Sequence, residues 1–184
     1  MILSAAYADL VDRHPMNPLR HFGFLLKDVS RLYSLNFERH AGDLNLSLAQ
    51  CKVLCYLQFN EGISQVRLAY LTDTDPMTLV RILARMEKDG LVTRKADPAD
   101  RRARRLYLQA CAIPVLEEIW RVSDRARAET LSGLSAADCT QLSKLMRRIQ
   151  SNVDALIPGA ADTSAAAGKP ARKRVGKLAQ AAKA

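Results

Sequence analysis

The chain has 184 residues, a net charge of +9, 48% hydrophobic residues and only 5% aromatic ones. That length suits one domain with a sizeable core, and the apolar runs are too short to span a bilayer. The start, "MILSAAYADLVDRHP", has no basic segment followed by a long apolar stretch, so the expected location is the cytoplasm, without a signal peptide.

Residues 1–18 contain Pro15 and Pro18 and little periodicity, and read as a flexible arm. From Leu19 to about Ala41, the residues Leu19, Phe22, Leu25, Leu26, Val29, Leu32, Tyr33 and Phe37 recur at spacings of three and four, predicting a long amphipathic helix ended by Gly42. Ser47 is placed to cap a second helix, "LAQCKVLCYL", and Ser64 opens a short third, "QVRLAYL". Asp75 then caps a fourth helix with Pro76 at its first position; Leu79, Ile82, Leu83 and Met86 form its buried stripe and Gly90 stops it.

Two short strands follow, at 91–95 and 105–109, joined by an arginine-rich turn. Beyond Cys111 a helix carries Ile113, Leu116, Ile119, Trp120 and Leu131 on one side, until Gly133 breaks it. "SAAD" is a capping pattern opening a last helix striped by Leu142, Leu145, Met146, Ile149, Val153 and Leu156. Residues 158–184 are rich in Ala and Lys without a core-forming stripe and read as a disordered basic tail. From Gly159 onward that tail sets six basic residues against Asp162 alone, so an anionic partner is expected, nucleic acid ahead of membrane.

The order helix, short turn, helix, strand, basic turn, strand predicts a mainly α fold, a helix-turn-helix with a β-hairpin wing. The second helix of the pair would offer Met77, Thr78, Arg81 and Arg85 to a DNA major groove, since its apolar stripe faces inward. Arg pairs with guanine edges or phosphates, and Thr meets a base acceptor or a thymine methyl. The turn "DPADRRARRLYL" crowds Arg101, Arg102, Arg104 and Arg105 together; four like charges repel unless an anion relieves them. One arginine there suits a narrow minor groove.

The stretch "DPMTLVRILARMEKDGLVTRKADPADRRARRLYL" resembles the winged-helix core of the MarR family of bacterial transcription regulators, the D-P-x-D-R-R wing above all. The resemblance implies a MarR-like domain over 19–157, with a DNA-binding lobe at 47–109 and dimerisation helices at 19–41, 111–132 and 135–157. It implies a homodimer reading a palindromic operator in double-stranded DNA, acting as a repressor and released by a small ligand or by cysteine oxidation. Carried over by position, Pro76, Met77, Thr78 and Arg81 match the recognition contacts. Arg102 matches the minor-groove arginine, and Asp100 its orienting neighbour. Arg85, Arg101 and Arg104 complete the expected DNA-facing set. Departures are Ala84, where the family often has an Asp that pairs with the wing, Leu108-Gln109 in place of Leu-Thr, and Ala112 near the usual Gly.

Candidates for an effector site, by position between dimerisation helices and lobe, are Phe22, Phe24, Leu26, His40, Tyr56 and Trp120; the positive charge suits an aromatic, anionic ligand. Cys51 and Cys55, one helical turn apart, are the redox candidates, against the reading as small buried hydrophobes. Cys111 opens a helix, whose dipole could lower a thiol pKa. None of the four cysteines forms C-x-x-C, and no metal or cofactor is expected. The sequence offers no Gly-rich phosphate loop and no nucleophile–base pair, so an enzyme is not expected. The alternative class is an architectural DNA-binding protein, because a winged helix with an Ala/Lys/Pro tail is also similar to linker histones. The apolar stripes at 111–157 speak for a two-fold regulator instead.

Overall fold

The computed structural model describes residues 19–97 and 104–157. The predicted arm at 1–18, the tip of the basic turn at 98–103 and the tail at 158–184 lie outside the described residues.

Seven-residue-plus apolar periodicity yields helix wherever the sequence showed it. Helix α1 (Phe22–His40) is followed by one 3-10 turn, Gly42–Leu44, and α2 (Leu48–Phe59). Ser47 starts α2 by a capping box: its hydroxyl accepts from Gln50 N, and the Gln50 side chain accepts from Ser47 N. Strand β1 (Ile63–Ser64) leads into α3 (Gln65–Leu71), whose N-cap is Ser64, and then α4 (Pro76–Lys88). The wing is β2 (Val92–Ala96) and β3 (Arg104–Leu108), antiparallel from Val92 opposite Leu108 to Ala96 opposite Arg104. Helices α5 (Ala112–Thr130) and α6 (Ala136–Leu156) complete the described chain, α6 opened by the predicted Ser135–Asp138 capping box.

The strands begin and end one residue away from the sequence reading, because Leu91 is taken by the exit of α4. Its N–H reaches back to Met86 O at 2.9 Å while Gly90 sits at φ +71, the left-handed helix ending that glycine allows. A third strand, β1, was not predicted. It pairs with β3 through Ile63 opposite Leu106, giving the order β1-β3-β2. Gly62, at φ +81, makes the tight approach to β3: a Cβ there would stand 3.4 Å from Tyr107 Oη.

The core gathers Val53, Leu54 and Leu57 of α2, Leu68 of α3, Leu79, Leu83 and Met86 of α4, Val92 and Leu106 of the wing, and Leu116 and Ile119 of α5. Ile82, predicted to be buried, is only partly so. On α5 the buried stripe runs Ala112, Leu116, Ile119, Val122 and Ala126; Ile113, Trp120 and Leu131 lie at its margin. The small alanines let α1 cross close: Asn36 Nδ2 donates to Ala126 O at 3.1 Å, and Glu129 takes hydrogen bonds from Arg39 and, at 2.9 Å, from His40. The His40 hydrogen bond and the neighbouring cations hold the Glu129 carboxyl below its ordinary range.

The described residues leave two helices largely uncovered. Phe37 is the sole buried residue of α1, and α6 buries none of its own. Leu83 is fully buried, whereas Arg81 on the same helix faces solvent. Leu83→Ala is therefore expected to cost about 2–5 kcal/mol in chemical denaturation, and Arg81→Ala less than about 0.5 kcal/mol. Equal losses would contradict this assignment of the faces of α4.

Candidate nucleic-acid interface

The turn between α3 and α4 is built by short polar side chains. Buried Thr72 donates its hydroxyl to Leu68 O at 2.8 Å, and Asp73 turns the chain at φ 49. Asp75 Oδ1 then accepts from Thr78 N at 3.0 Å, starting α4 at Pro76, which has no N–H to satisfy. These two helices, with α4 anchored by Leu79, Leu83 and Met86, turn Pro76, Met77, Thr78, Arg81 and Arg85 outward together. Met77 is 65% exposed, unusual for so apolar a side chain. Arg81 has no ion pair among the described residues, and Arg85 has only a long, exposed one with Asp89 at 3.9 Å. Both guanidinium groups are thus available to an anion.

The wing is tied to this helix by a pair that sequence reading missed. Ala84 offers no carboxylate, but Glu87 does: its Oε1 accepts from Arg94 N at 3.1 Å, its Oε2 lies 3.6 Å from Arg94 Nε, and Arg94 also donates to Val80 O at 3.4 Å. The helix-to-wing link is present, one turn further along. At the wing's base, Arg105 donates Nε to Asp97 Oδ2 at 2.7 Å and Nη1 to Gly62 O at 2.9 Å. Arg105 is therefore engaged inside the lobe, while Arg104, exposed, opens the strand beside the basic turn. Lys95 lies 5.0 Å over the Tyr107 ring, leaving its charge at the surface. Asp100, Arg101 and Arg102 lie outside the described residues.

A helix-turn-helix followed by an antiparallel hairpin, with an unpaired Arg and a Thr on the outer face of the second helix, defines a winged-helix DNA-binding protein. The sequence model of the MarR family matches residues 46–103, the lobe from the cap of α2 to the wing. Solved structures extend the likeness to the framing helices. One is a MarR-family transcriptional regulator from Silicibacter pomeroyi, 22% identical, covering 72% of this chain and 90% of its own, at TM-score 0.64. Another is Bordetella bronchiseptica BpsR, whose DNA binding is regulated by 6-hydroxynicotinic acid, 26% identical over 71% of this chain and 98% of its own, at TM-score 0.61. A third is a mutant MarR from E. coli complexed with operator DNA, 24% identical over 74% of this chain and 96% of its own, at TM-score 0.60. The lobe thus matches the MarR family model over 46–103, and the fold is the one seen in MarR-family transcription regulators.

The other candidates from sequence fall apart from this interface. Phe22, Phe24 and Leu26 stand exposed along α1, Tyr56 is 41% exposed on α2, and His40 is engaged with Glu129. Trp120 donates Nε1 to Gln58 Oε1 at 2.9 Å and meets the Phe59 ring edge-on, 6.0 Å between centroids. Neither of the two clefts described for the lobe, one at the wing base and one beside the α3–α4 turn, is lined by any of the six.

Cys51 is 2% exposed, and burial pushes its thiol up to about 11. Cys55 is pushed up to about 12, by burial first and then by Cys51 beside it. Since the thiolate is the reactive form, both are quiet at neutral pH. Cys111, by contrast, is exposed at the head of α5. Iodoacetamide at pH 8 is expected to alkylate Cys111 in the folded protein and to reach Cys51 and Cys55 only after unfolding or as the pH approaches 11, read by peptide mass. Early modification of Cys51 would contradict this and revive a redox role.

Proposed function

We propose that the chain is a homodimeric, sequence-specific repressor that reads a palindromic operator and is released by a small ligand. The observation that carries the dimer is the pair of uncovered apolar faces. Helix α1 exposes Phe22, Leu25, Leu26, Val29 and Leu32, and α6 exposes Leu142, Leu145, Met146, Val153 and Leu156. A 21-residue helix with such a stripe and no buried residue of its own needs a partner surface. A second copy presents the same two faces, and a two-fold axis through them yields two wings and a palindromic site.

Within residues 19–157, the lobe at 47–109 is the DNA-reading part and the helices at 19–41, 111–132 and 135–157 the dimerisation part. Met77, Thr78 and Arg81 read base edges from the start of α4, Pro76 seats them, and Arg85 meets phosphate. Arg104 and Arg101 neutralise phosphates from the wing, and Arg102, oriented by Asp100, enters the minor groove. BpsR supports the ligand half of the reading, since its DNA binding answers to an aromatic acid. A purely architectural role is disfavoured by the same apolar faces, because backbone binding alone does not call for them. No helix among the described residues is long and apolar enough to cross a membrane, which agrees with a protein working beside its DNA in the cytoplasm.

Sedimentation at micromolar concentration is expected to give a dimer, and DNA selected from a random library to yield one palindrome preferred by about three or more orders of magnitude over random duplex. Arg81→Ala should reduce that preference by roughly 1–3 kcal/mol, and Arg102→Ala should weaken operator binding markedly. A monomer, or equal affinity for random DNA, would overturn the proposal.

A further inference from the structure

The positive charge of the chain is concentrated at one end. From Lys144 onward stand nine basic residues against Asp154 and Asp162, whereas the preceding 143 residues, α4 and the wing included, hold nineteen basic against seventeen acidic. Most of the net charge of +9 therefore lies away from the surface that α4 and the wing present. Three of the nine, Lys144, Arg147 and Arg148, stand on α6, and all three are exposed. None of them has an ion pair among the described residues. The nearest acids along α6 are six residues away on either side, and the earlier one, Asp138, is held by Ser135 in the capping box. On α5, by contrast, Arg121 and Arg127 each meet an acid three residues back.

Arg147 and Arg148 follow Lys144 by three and four residues, so the three cations share one face of the helix. The apolar stripe of Leu142, Leu145, Met146, Ile149 and Val153 runs along the opposite face, so a second copy that covers the stripe leaves the cations outward. Like charges at these spacings disfavour a helix. Nor do they answer the helix dipole, which attracts cations to the last turn, because α6 has no basic residue there. A polyanion outside the helix relieves all three at once.

Residues 158–184 follow α6 directly and add Lys169, Arg172, Lys173, Arg174, Lys177 and Lys183. Val175 and Leu178 are the only large aliphatic side chains in that stretch and aromatic residues are absent from it, so it lacks the apolar face that seats a chain in a lipid surface. Duplex DNA, with one phosphate charge per about 1.7 Å of axis, asks only for cations along its length. We propose that the cationic face of α6 and residues 158–184 together make a second, sequence-independent contact with the phosphates of duplex DNA, beyond the stretch met by α4 and the wing. Phosphate contacts hold any duplex, whereas base contacts specify one, so this contact does not rest on the operator reading above.

The salt dependence of binding to a duplex of random sequence, followed by fluorescence anisotropy with the full chain, tests it. Each phosphate contact contributes about 0.9 to the slope of log affinity against log salt. Lys144→Gln, Arg147→Gln and Arg148→Gln combined should flatten that slope by at least about two and weaken binding at least about tenfold near 0.1 M salt. Replacing the six basic residues of 158–184 by Gln should flatten it at least as much, and Arg81→Ala, one cation per protomer, less than either set. Independently of any variant, random duplex should slow acetylation of Lys144 in the parent, read by peptide mass. A parent-like slope in either combined variant, or equal acetylation of Lys144 with and without duplex, would overturn the proposal. Tighter binding of the parent to phosphatidylserine vesicles than to random duplex at the same salt would also overturn it. Failure to select a preferred palindrome would sink the operator reading and leave the slope difference standing.

Discussion

The rotation of α4 about its own axis decides which side chains this protein turns to solvent, and that rotation is set by three side chains. Leu79, Leu83 and Met86 are fully buried at spacings of four and three. Burying each contributes about 1.5–3 kcal/mol, and turning the helix would exchange them for Arg81 or Arg85, whose charges no core partner awaits. The two ends of the helix are fixed as well, by the Asp75 cap and by the Gly90 exit. The apolar core thus determines, without touching DNA, that Met77, Thr78 and Arg81 form the outer face.

The wing depends on the same helix. Glu87 receives β2 through Arg94, and Arg105 fastens β3 to Asp97 and to the carbonyl of Gly62. Exposed ion pairs contribute little singly, but these combine backbone and side-chain contacts, and Asp97 is nearly buried. The crowded arginines of the basic turn therefore divide their labour. One is consumed in holding the hairpin, and Arg104 keeps its charge at the surface beside the turn.

Much of this was legible in the sequence, and the reasons are local. Ser47, Ser64, Asp75-Pro76 and Ser135 each announce a helix start, and each acts as the cap in the fold. The apolar spacing of α4 gave its outer face by subtraction. Strand β1 was not legible, because two residues carry no period and owe their state to pairing with Leu106. Arg101, Arg104 and Arg105 were expected to serve phosphates or the wing's own ion pairs, and Arg105 does form such a pair; but in a run of arginines nothing local distinguishes the one that meets a carboxylate eight residues back. The Glu87–Arg94 link was not legible because the family resemblance puts its carboxylate where this chain has Ala84, whereas Glu87 lies three residues further along the helix. The stripes of α1 and α6 were legible as apolar, but periodicity cannot say whether the chain itself or a second copy covers them; in the fold the described residues do not.

The central claim is that the outer face of α4 is the surface that closes on DNA. Met77 reports on it directly, since it is an exposed thioether in the middle of that face, whereas Met86 on the opposite side is fully buried. Brief hydroxyl-radical oxidation of the protein, alone and with its selected duplex, followed by peptide mass analysis, reads both residues at once. The account predicts rapid sulfoxide formation at Met77 in the free protein, strong protection by the bound duplex, and little oxidation of Met86 in either state. Oxidation of Met77 at the same rate with and without bound DNA would contradict it.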